Sequence, residues 1–520
     1  MIHTVEAREL TQLLHMLPAG SWRAESSSPV AGVKIDLVTP DSRECRAGAM
    51  FVAIAGTRRD GNAYIPAAVQ AGASCIVAET RHPELGTIPV IVTPNPRQFL
   101  SLIAQAFFDF PARRMKMIGI TGTSGKTSTA YMVRRLLQGA GIQAVMIGTT
   151  GYVMPDGEFF PPDALPATTP ESFALNWYLD HAAKAGARAA VVEVSSFALA
   201  FERVFGMRFD CGVFTNFSQD HMGYHGTMEA YLAAKLRLFA SLDDSAVAVL
   251  NADDPAFDAF HKAAAGARIE TFSLKGDADL CGRNVRSQEG RTTFDVHSRD
   301  GDSAHVVLAI GPAFQASNCL AAIGAVRAIV PSSTLSVLTN ALTEPLYIPG
   351  RYERIDCGQP FEVIVDYAHT PEEFTALFGA VAPTIRGGML AVFGSVGADD
   401  REKRPIMARI AEHACRWSFV TVEDPRREDA SLAVRDIVAG FTGNRFTVLE
   451  DRREAIHQAI AAARPGDAVL ILGRGHETVM YYEHEDVALD DRQEARRALQ
   501  ALGYGGTVNS HESAGGTHGS

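Results

Sequence analysis

Short apolar runs alternate along most of the chain with segments in which apolar residues recur at helical spacing. Four clear runs, each bounded by Gly, Asp or Ser, are VVEVSS, VLILG, VIVDYA and MLAVFG. Runs rich in Val and Ile are typical of strands buried on both faces, and their alternation with helices predicts parallel sheets. The pattern therefore predicts an α/β protein.

Two interruptions of this pattern mark candidate domain boundaries. The first lies at residues 111–116, before a strong apolar run, and the second lies at 347–350, where Pro and Gly occur together. A chain of 520 residues corresponds to about three domains. We expect domains over residues 1–112, 113–348 and 349–505, and a flexible tail over the small, polar residues 506–520.

Composition narrows the classes of function that remain. Hydrophobic residues make up 47% of the chain, which excludes a mostly disordered protein, and the net charge of −12 argues against a nucleic-acid partner. The apolar runs fall short of the roughly 20 residues of a membrane span, and the first residues lack the basic start of a signal peptide. Seven scattered cysteines favour free thiols in a reducing compartment. We expect a cytoplasmic protein.

The segment MIGITGTSGKTSTAYMV has the form of a phosphate-binding loop. An apolar run precedes the loop, and residues at helical spacing follow it. Glycines allow backbone amides to face phosphate oxygens, Lys126 can reach the terminal phosphates, and the Thr127 hydroxyl suits magnesium. The alternative is a glycine-rich turn that happens to contain a lysine. The predicted ATP-binding residues are Gly122, Thr123, Ser124, Gly125, Lys126 and Thr127.

Three further residues are candidate magnesium ligands. Lys235 lies on the apolar stripe of a helix that we expect to begin at Thr227, and Glu193 interrupts an apolar strand. Burial would lower the pKa of the lysine, and a neutral amine can add carbon dioxide to become a carbamate ligand. His221 follows Asp220 in a loop and could join the same oxygen-rich site. The alternatives are a solvent-directed lysine, a glutamate in a structural ion pair and a structural histidine.

Several short motifs, in this order, resemble those of the Mur ligases, ATP-dependent amide-forming enzymes of peptidoglycan synthesis. They are GTSGKT, TTP (168–170), EVSS (193–196), FTN…DH…YHGT, DYAHTP (366–371), KRP (403–405) and GRGHE (473–477). The resemblance implies an N-terminal UDP-binding α/β domain, a central P-loop-type ATPase domain with a mainly parallel sheet, and a C-terminal Rossmann-like α/β domain. Catalysis would depend on Lys126, Glu193, His221 and Lys235.

The resemblance also implies the cofactors and the substrate contacts. ATP and Mg²⁺ are the expected cofactors, and the metal would be bound by Thr127, Glu193, His221 and carbamylated Lys235. The adenosine part of ATP would be contacted from the next domain by Asn318, Arg351 and Asp366. A UDP-linked muramyl peptide would contact Ser42, Thr168, Thr169, Ser195 and Arg203. An amino-acid substrate would contact Asp424, Arg426, Gly473 and Glu477.

Among Mur ligases, the chain is most similar to those that add the third residue of the stem peptide. This similarity implies transfer of meso-diaminopimelate or L-lysine to UDP-N-acetylmuramoyl-L-Ala-D-Glu through an acyl phosphate, by a monomer that does not insert into a membrane.

Departures from the family pattern leave other functions open. Phe197 and Phe201 replace His and Gln, Asp399 replaces an Arg, and the family's DNPR reads EDPR at 423–426. An anion near an anionic ligand weakens binding, so a paralogue that joins another acid and amine is the alternative. A non-catalytic nucleotide-binding protein is a third reading, and the joint presence of the candidate catalytic residues speaks against it.

Overall fold

Three sheets dominate the chain, and each belongs to a different part of it. The computed structural model describes residues 5–24, 30–56, 59–80, 82, 85, 88–161, 168–288, 290–397, 400–426 and 428–505. Asp399 and the predicted flexible tail at 506–520 lie outside the described residues. All seven cysteines are described and free, as the sequence predicts.

The first sheet has five strands, of which four are parallel and one edge strand is antiparallel. Its strands are β2 (Arg23–Ala24), β4 (Leu37–Thr39), β5 (Ala49–Val52), β6 (Cys75–Ala78) and β7 (Val90–Val92). A separate antiparallel pair is formed by β1 (Arg8–Glu9) and β3 (Lys34–Ile35). The helices of this part are α1 (Leu10–His15), α2 (Ile65–Gln70) and α3 (Pro96–Phe107). An apolar cluster between α1, α3 and one face of the sheet forms the core.

The second sheet has eleven strands in the order β11-β10-β9-β12-β8-β13-β14-β15-β16-β17-β18. They are β8 (Lys116–Thr121), β9 (Ala144–Gly148), β10 (Gly151–Val153), β11 (Phe159–Phe160), β12 (Ala189–Glu193), β13 (Cys211–Phe214), β14 (Val247–Asn251), β15 (Arg268–Ser273), β16 (Leu280–Gln288), β17 (Arg291–Ser298) and β18 (Ser303–Leu308). The strands from β9 to β16 in this order are parallel, and antiparallel strands extend both edges. The predicted mainly parallel sheet is therefore confirmed.

Helices cover both faces of this central sheet, which explains why its inner strands are almost continuously apolar. They are α4 (Lys126–Gly139), α5 (Ser172–Lys184), α6 (Ser196–Ala200), α7 (Met222–His225), α8 (Met228–Ala240), α9 (Phe257–Ala263), α10 (Gln315–Ile329) and α11 (Leu335–Asn340). One core lies between the sheet and α4, α10 and α11, and a second lies under α5, α8 and α9.

The third sheet has six strands in the order β19-β20-β24-β21-β22-β23, all parallel except for the edge strand β19. They are β19 (Glu353–Arg354), β20 (Glu362–Asp366), β21 (Met389–Phe393), β22 (Trp417–Thr421), β23 (Phe446–Leu449) and β24 (Ala468–Leu472), followed by the hairpin β25 (Val479–Tyr481) and β26 (Asp486–Ala488). Its helices are α12 (Pro371–Val381), α13 (Lys403–Ala414), α14 (Ala430–Val438), α15 (Arg452–Ala461) and α16 (Asp491–Ala501).

The three sheets confirm the predicted three-part α/β fold. The change from the first sheet to the second falls between β7 and β8, and the change to the third falls between β18 and β19. The residue limits of the domains stay predictions. Among the described residues, no helix combines the length and apolarity that crossing a membrane requires.

Candidate active site

The predicted phosphate loop connects the central strand β8 to α4, with the strand and helix where the sequence places them. Gly122 and Gly125 have positive φ angles, of 155° and 82°, that side chains with a Cβ rarely adopt. A Cβ at Gly122 would also overlap the Thr215 hydroxyl, and a Cβ at Gly125 would overlap the Asn318 amide. Both glycines are therefore required by the turn and by its close packing.

Lys126 begins α4, and its amine turns back over the loop. Lys126 Nζ donates hydrogen bonds to the carbonyl oxygens of Gly122, at 2.9 Å, and Thr123, at 2.7 Å. Burial lowers the pKa of Lys126, and the nearby carboxylates of Glu193, Asp220 and Glu373 oppose that change. The amine thus lies in the curve of the loop, where a phosphate group would meet it.

Glu193 ends β12 and is fully buried next to the phosphate loop. Its carboxylate accepts hydrogen bonds from the Thr127 hydroxyl, at 2.9 Å, and from both the amide and the hydroxyl of Thr149, at 3.1 Å. Burial raises its pKa, while Lys126 and Arg351 act in the opposite direction. In the described part of the chain, no basic nitrogen lies within ion-pair distance of this carboxylate, so the structural ion pair is not formed. The paired oxygens of Thr127 and Glu193 fit a hard cation such as Mg²⁺.

Lys235 is buried on the inner side of α8, and the prediction of a buried amine is confirmed. The helix begins after Thr227, whose hydroxyl accepts a hydrogen bond from Ala230 N, as predicted. Lys235 is 1% exposed, and its Nζ donates to the carbonyl oxygen of Gly122 at 2.6 Å. Burial, with a smaller contribution from the charge of Lys126, lowers its pKa well below the ordinary value. The alternative interpretation, in which the amine of Lys235 points into solvent, is therefore wrong.

His221 directly precedes α7 and has a left-handed conformation with φ 59°. Its Nε2 is 3.3 Å from the buried carboxylate of Asp220. Burial would raise the pKa of Asp220, yet His221, His369 and Lys403 around it hold that pKa well below its usual value. Among the residues that the structure describes, no three His, Cys, Asp or Glu side chains converge as around a metal ion. The four-residue magnesium set stays a prediction.

Residues from the part of the chain that forms the third sheet also contact the phosphate loop. Arg351 Nη2 is 3.5 Å from the Thr127 hydroxyl, and its guanidinium stacks on the Tyr367 ring at 4.2 Å. Asp366 ends β20 and accepts hydrogen bonds from two backbone amides, and burial raises its pKa to about 6. Glu373, at the start of α12, accepts a hydrogen bond of 2.7 Å from the Ser124 hydroxyl.

Asn318 differs from the expectation that it comes from the next domain. It belongs to α10, which packs against α4 in the same apolar core under the central sheet. Its amide nitrogen donates to Gln315 Oε1 at 2.9 Å, and its oxygen faces Gly125. Packing of α10 on the loop helix, and not closure of another domain, brings Asn318 to the loop.

Four of the five residues predicted for the acid substrate converge at the carboxyl end of β12. The Thr169 hydroxyl donates to Glu193 O at 2.7 Å and accepts from Ser195 N at 3.1 Å, and Arg203 Nη1 donates to Thr169 O at 2.8 Å. Thr168 joins the cluster because its hydroxyl accepts a hydrogen bond from Thr149. Ser42 lies in a short 3₁₀ turn after β4 and, within the described ranges, forms no hydrogen bond to the other four.

The residues predicted for the amino-acid substrate meet at the carboxyl ends of β22 and β24. Asp424 accepts a hydrogen bond from Tyr481 N at 2.8 Å, and its carboxylate is 3.3 Å from Arg426 Nε. Gly473 has φ 104°, and a Cβ there would overlap the carboxylate of Glu423. Burial, with Asp424 and Glu423 nearby, raises the pKa of Glu477 to about 7 although Arg474 and Arg426 oppose it.

Sequence reasoning missed several members of these clusters. Glu423 is 1% exposed, and in the described residues neither of its carboxylate oxygens has a hydrogen-bond partner. His369 lies between Asp220 and Glu373, whose negative charges, together with a hydrogen bond to Asp220, raise its pKa to about 9 against the effect of burial. Glu423 and His369 stand inside motifs noted in the sequence, but their partners come from distant segments.

Comparison with known proteins places this arrangement in one family. The Mur ligase middle domain matches residues 120–326, the Mur ligase glutamate ligase domain matches 350–475, and the Mur ligase family catalytic domain matches 34–108. The chain is 40% identical to a UDP-N-acetylmuramyl-tripeptide synthetase of Roseiflexus, over 92% of this chain and 97% of the relative. It is 38% identical to a UDP-N-acetylmuramoyl-L-alanyl-D-glutamate–2,6-diaminopimelate ligase of Bacillus velezensis, over 95% and 99%.

Solved structures show the same relationship. A structure of a UDP-N-acetylmuramoyl-L-alanyl-D-glutamate–2,6-diaminopimelate ligase aligns with a TM-score of 0.62 at 30% identity, over 92% of this chain and 97% of that one. A folylpolyglutamate synthase of Mycobacterium tuberculosis, at 19% identity and a TM-score of 0.60 over 78% of this chain and 94% of its own, shares the fold. With identities this high over nearly full length, and with a glycine loop that faces buried acidic and basic side chains, the chain belongs to the Mur ligase family of ATP-dependent amide-forming ligases.

Proposed function

We propose that the chain joins meso-diaminopimelate to UDP-N-acetylmuramoyl-L-alanyl-D-glutamate, the third-residue step of peptidoglycan synthesis, as a cytoplasmic monomer. The observation that carries the proposal is the set of relatives named for this reaction, which share 36–38% identity over about nine-tenths of this chain or more. The retained Arg426 favours diaminopimelate over lysine, because an arginine recognises a second carboxylate well.

Each cluster of the site has a task in this reaction. The loop from Gly122 to Thr127 binds the phosphates of ATP, and Lys126 offsets their charge. Thr127 and Glu193, with His221 and carbamylated Lys235, would hold Mg²⁺, which lowers the repulsion between the phosphates and the attacking carboxylate. When bound, ATP supplies the phosphoryl group that turns that carboxylate into an acyl phosphate.

The acyl phosphate must then meet an amine and not water. Thr169, Ser195 and Arg203 would hold the acid on one side of the loop, and Glu477 would orient the ammonium group of the incoming amino acid. Arg351 and His476 close the gap between the two sheets, since His476 Nε2 contacts Thr149 O at 3.0 Å. Closure of this kind excludes water from a reactive intermediate.

An assay with single amino acids tests the substrate assignment. Purified protein with ATP, Mg²⁺ and UDP-N-acetylmuramoyl-L-Ala-D-Glu should release phosphate when meso-diaminopimelate is added, and at most slowly with L-lysine. Release that requires L-lysine would correct the amino acid only. Release with an unrelated acid, and none with the muramyl dipeptide, would establish the alternative of a paralogue, which Phe197 and Phe201 motivate.

The role of Lys235 can be tested separately. Lys235→Ala should lose at least about 100-fold in phosphate release, because it removes an anionic ligand from a buried site. Acetate should restore part of the rate by supplying the missing carboxylate. Lys262→Ala, at an exposed lysine of α9, is the matched control and should keep the wild-type rate. Full activity of Lys235→Ala without acetate would contradict the carbamate.

A further inference from the structure

An aromatic ring contacts two arginines, one of which belongs to the cluster predicted for the acid substrate. Phe201 caps the end of α6, the short helix that begins after Ser195. The guanidinium carbons of Arg97 and Arg203 lie 4.7 Å and 5.7 Å from the centre of its ring. Both distances are within the range of cation–π attraction, about 6 Å. Phe201 therefore contacts two cations, and one of them, Arg203, belongs to the cluster predicted for the acid substrate.

The two arginines differ in what their hydrogen-bond donors do. Arg203 is largely buried, and it donates to Thr169 O at 2.8 Å and to the Glu171 carboxylate at 3.3 Å. Arg97 is half-buried, and its guanidinium has no acceptor among the described residues. Stacking on a ring uses the face of a guanidinium and leaves its in-plane N–H donors available. Arg97 thus offers a charged, forked donor set that no acceptor in the described part of the chain occupies.

Arg97 comes from α3, in the first sheet's part of the chain, yet its position relative to Phe201 is well defined. The Ser101 hydroxyl and the Gln105 amide, also on α3, both donate to Phe205 O, at 2.9 Å and 2.8 Å. The ring of Phe107 on α3 packs edge-on against Phe173 on α5 at 5.1 Å. These contacts fix α3 against the segment that contains Phe201, so the guanidinium needs little reorganisation before it binds.

We propose that Arg97 binds an oxyanion of the acid substrate and that Phe201 holds its guanidinium in the binding orientation. The inference rests on the proposed function, because a UDP-linked muramyl peptide carries a diphosphate and carboxylates, and an arginine fork fits either group. The proposal also gives a role to Phe201, which stands where the family has a glutamine, because an aromatic ring can stack on a guanidinium.

Calorimetric titration of the full-length protein with UDP-N-acetylmuramoyl-L-Ala-D-Glu tests the proposal. Arg97→Met should weaken binding at least tenfold, while the KM for ATP stays unchanged. Arg97→Lys should recover part of the affinity, since it keeps the charge but loses the fork. Phe201→Leu should weaken binding about threefold, the loss of one cation–π contact. Binding by a folded Arg97→Met protein as tight as that of the wild type would overturn the proposal.

The matched control is Arg113, a further arginine over an aromatic ring, which lies in sequence between the first and the second sheet. Arg113 lies over the Phe110 ring at 4.1 Å, beyond the opposite end of α3 from Arg97, and is exposed. Arg113→Met should bind the substrate as the wild type does. If Arg97→Met and Arg113→Met weaken binding equally, the effect comes from the junction and the proposal fails. If Arg97→Met does not fold, the binding of the substrate by Arg97→Lys decides. Wild-type affinity of Arg97→Lys, together with weaker binding by Phe201→Leu, would overturn the role of the guanidinium fork.

Titration with a second ligand, UDP, identifies the oxyanion. UDP carries only the diphosphate, so weaker binding of UDP to Arg97→Met assigns the contact to the diphosphate. If Arg97→Met binds UDP normally but binds UDP-N-acetylmuramoyl-L-Ala-D-Glu more weakly, the contact is assigned to a carboxylate. If the variant binds both ligands as tightly as the wild type does, the proposal is overturned. Failure of the proposed function would look different, because the wild-type protein would then neither bind the muramyl dipeptide nor release phosphate with it.

Discussion

At the scale of single residues, burial of charge is what gives the active site its chemistry. Lys235, Glu193 and Glu423 are each at most 1% exposed, and none has an ion-pair partner within 4 Å among the described residues. A buried charge without a partner is costly, so such groups persist where a ligand completes them or where their protonation changes. Lys235 and Glu193 adjoin the phosphate loop, and Glu423 adjoins Gly473.

The raised pKa of Glu477 predicts how amino-acid binding depends on pH. Burial and the carboxylates of Asp424 and Glu423 raise this pKa to about 7, so the group is neutral at lower pH. An ammonium group binds the carboxylate form, so the KM for the amino acid should fall roughly tenfold per pH unit up to pH 7 and level off above it.

Steady-state kinetics between pH 6 and pH 8.5 at saturating ATP measure this profile. Glu477→Gln should raise the KM and flatten its pH dependence. Glu483→Gln, at an exposed position in the neighbouring hairpin, should leave both unchanged. A wild-type KM that is flat across the range would contradict the assigned role of Glu477.

At the scale of secondary-structure elements, the ends of a few parallel strands organise the site. The phosphate loop follows β8, Glu193 ends β12, and Thr215 follows β13, three neighbouring strands of the central sheet. In the third sheet, Asp366 ends β20 and Gly473 follows β24, its neighbour. Ligands bind at the carboxyl ends of such strands because the loops there converge.

One buried ion pair joins α15 to α16 in the third sheet's part of the chain, and its removal should destabilise this part of the protein. Arg452 on α15 and Asp491 on α16 are fully buried and bonded at 2.9 Å and 2.8 Å, and Arg452 also donates to Leu472 O. Asp491→Ala leaves the arginine charge buried and unpaired, which should cost about 3–5 kcal/mol.

Calorimetric melting should therefore show a lower transition temperature for Asp491→Ala. Glu362→Ala removes the surface partner of Arg354, with side chains 37% and 45% exposed, and should change stability by less than about 1 kcal/mol. Equal melting curves for the two variants would mean that the buried pair does not stabilise α15 and α16.

At the scale of the whole molecule, the site forms where the second and third sheets face each other. The Ser124 hydroxyl binds Glu373, Arg351 reaches Thr127, and Gln219 Nε2 donates to Asp400 at 3.0 Å. The phosphate loop is thus contacted by side chains 224 and 249 residues away in sequence. ATP bound at this loop would compete with one of them, the carboxylate of Glu373.

This competition predicts a change in ATP affinity. Glu373→Gln removes an anion from beside the phosphate loop, so the dissociation constant for ATP should fall about fivefold, the size of a partly screened charge repulsion. Titration of ATP in the absence of the other substrates measures it. Glu372→Gln, at the exposed neighbouring position, should bind ATP as the wild type does. Weaker ATP binding by Glu373→Gln would show that the carboxylate supports the loop instead of competing with the phosphates.

Local chemistry made much of this protein predictable from sequence. A strand, a glycine turn and a helix are encoded within about 25 consecutive residues, and helical spacing places Lys235 on the apolar stripe of α8. Alternating apolar runs predict parallel sheets flanked by helices for the same reason: each element carries its own pattern of burial. These features depend on neighbours in sequence.

The amino-acid sequence by itself determined the α/β class and the phosphate loop, and it placed Lys235 on the apolar stripe of its helix, because short-range patterns of apolar residues and glycines suffice for them. Tertiary structure alone decided that Asn318 faces Gly125, that His369 approaches Asp220, and that Arg97 stacks on Phe201. In each case the partners lie on elements about 100 or more residues apart, and their contact depends on how helices and sheets pack, which no local pattern encodes.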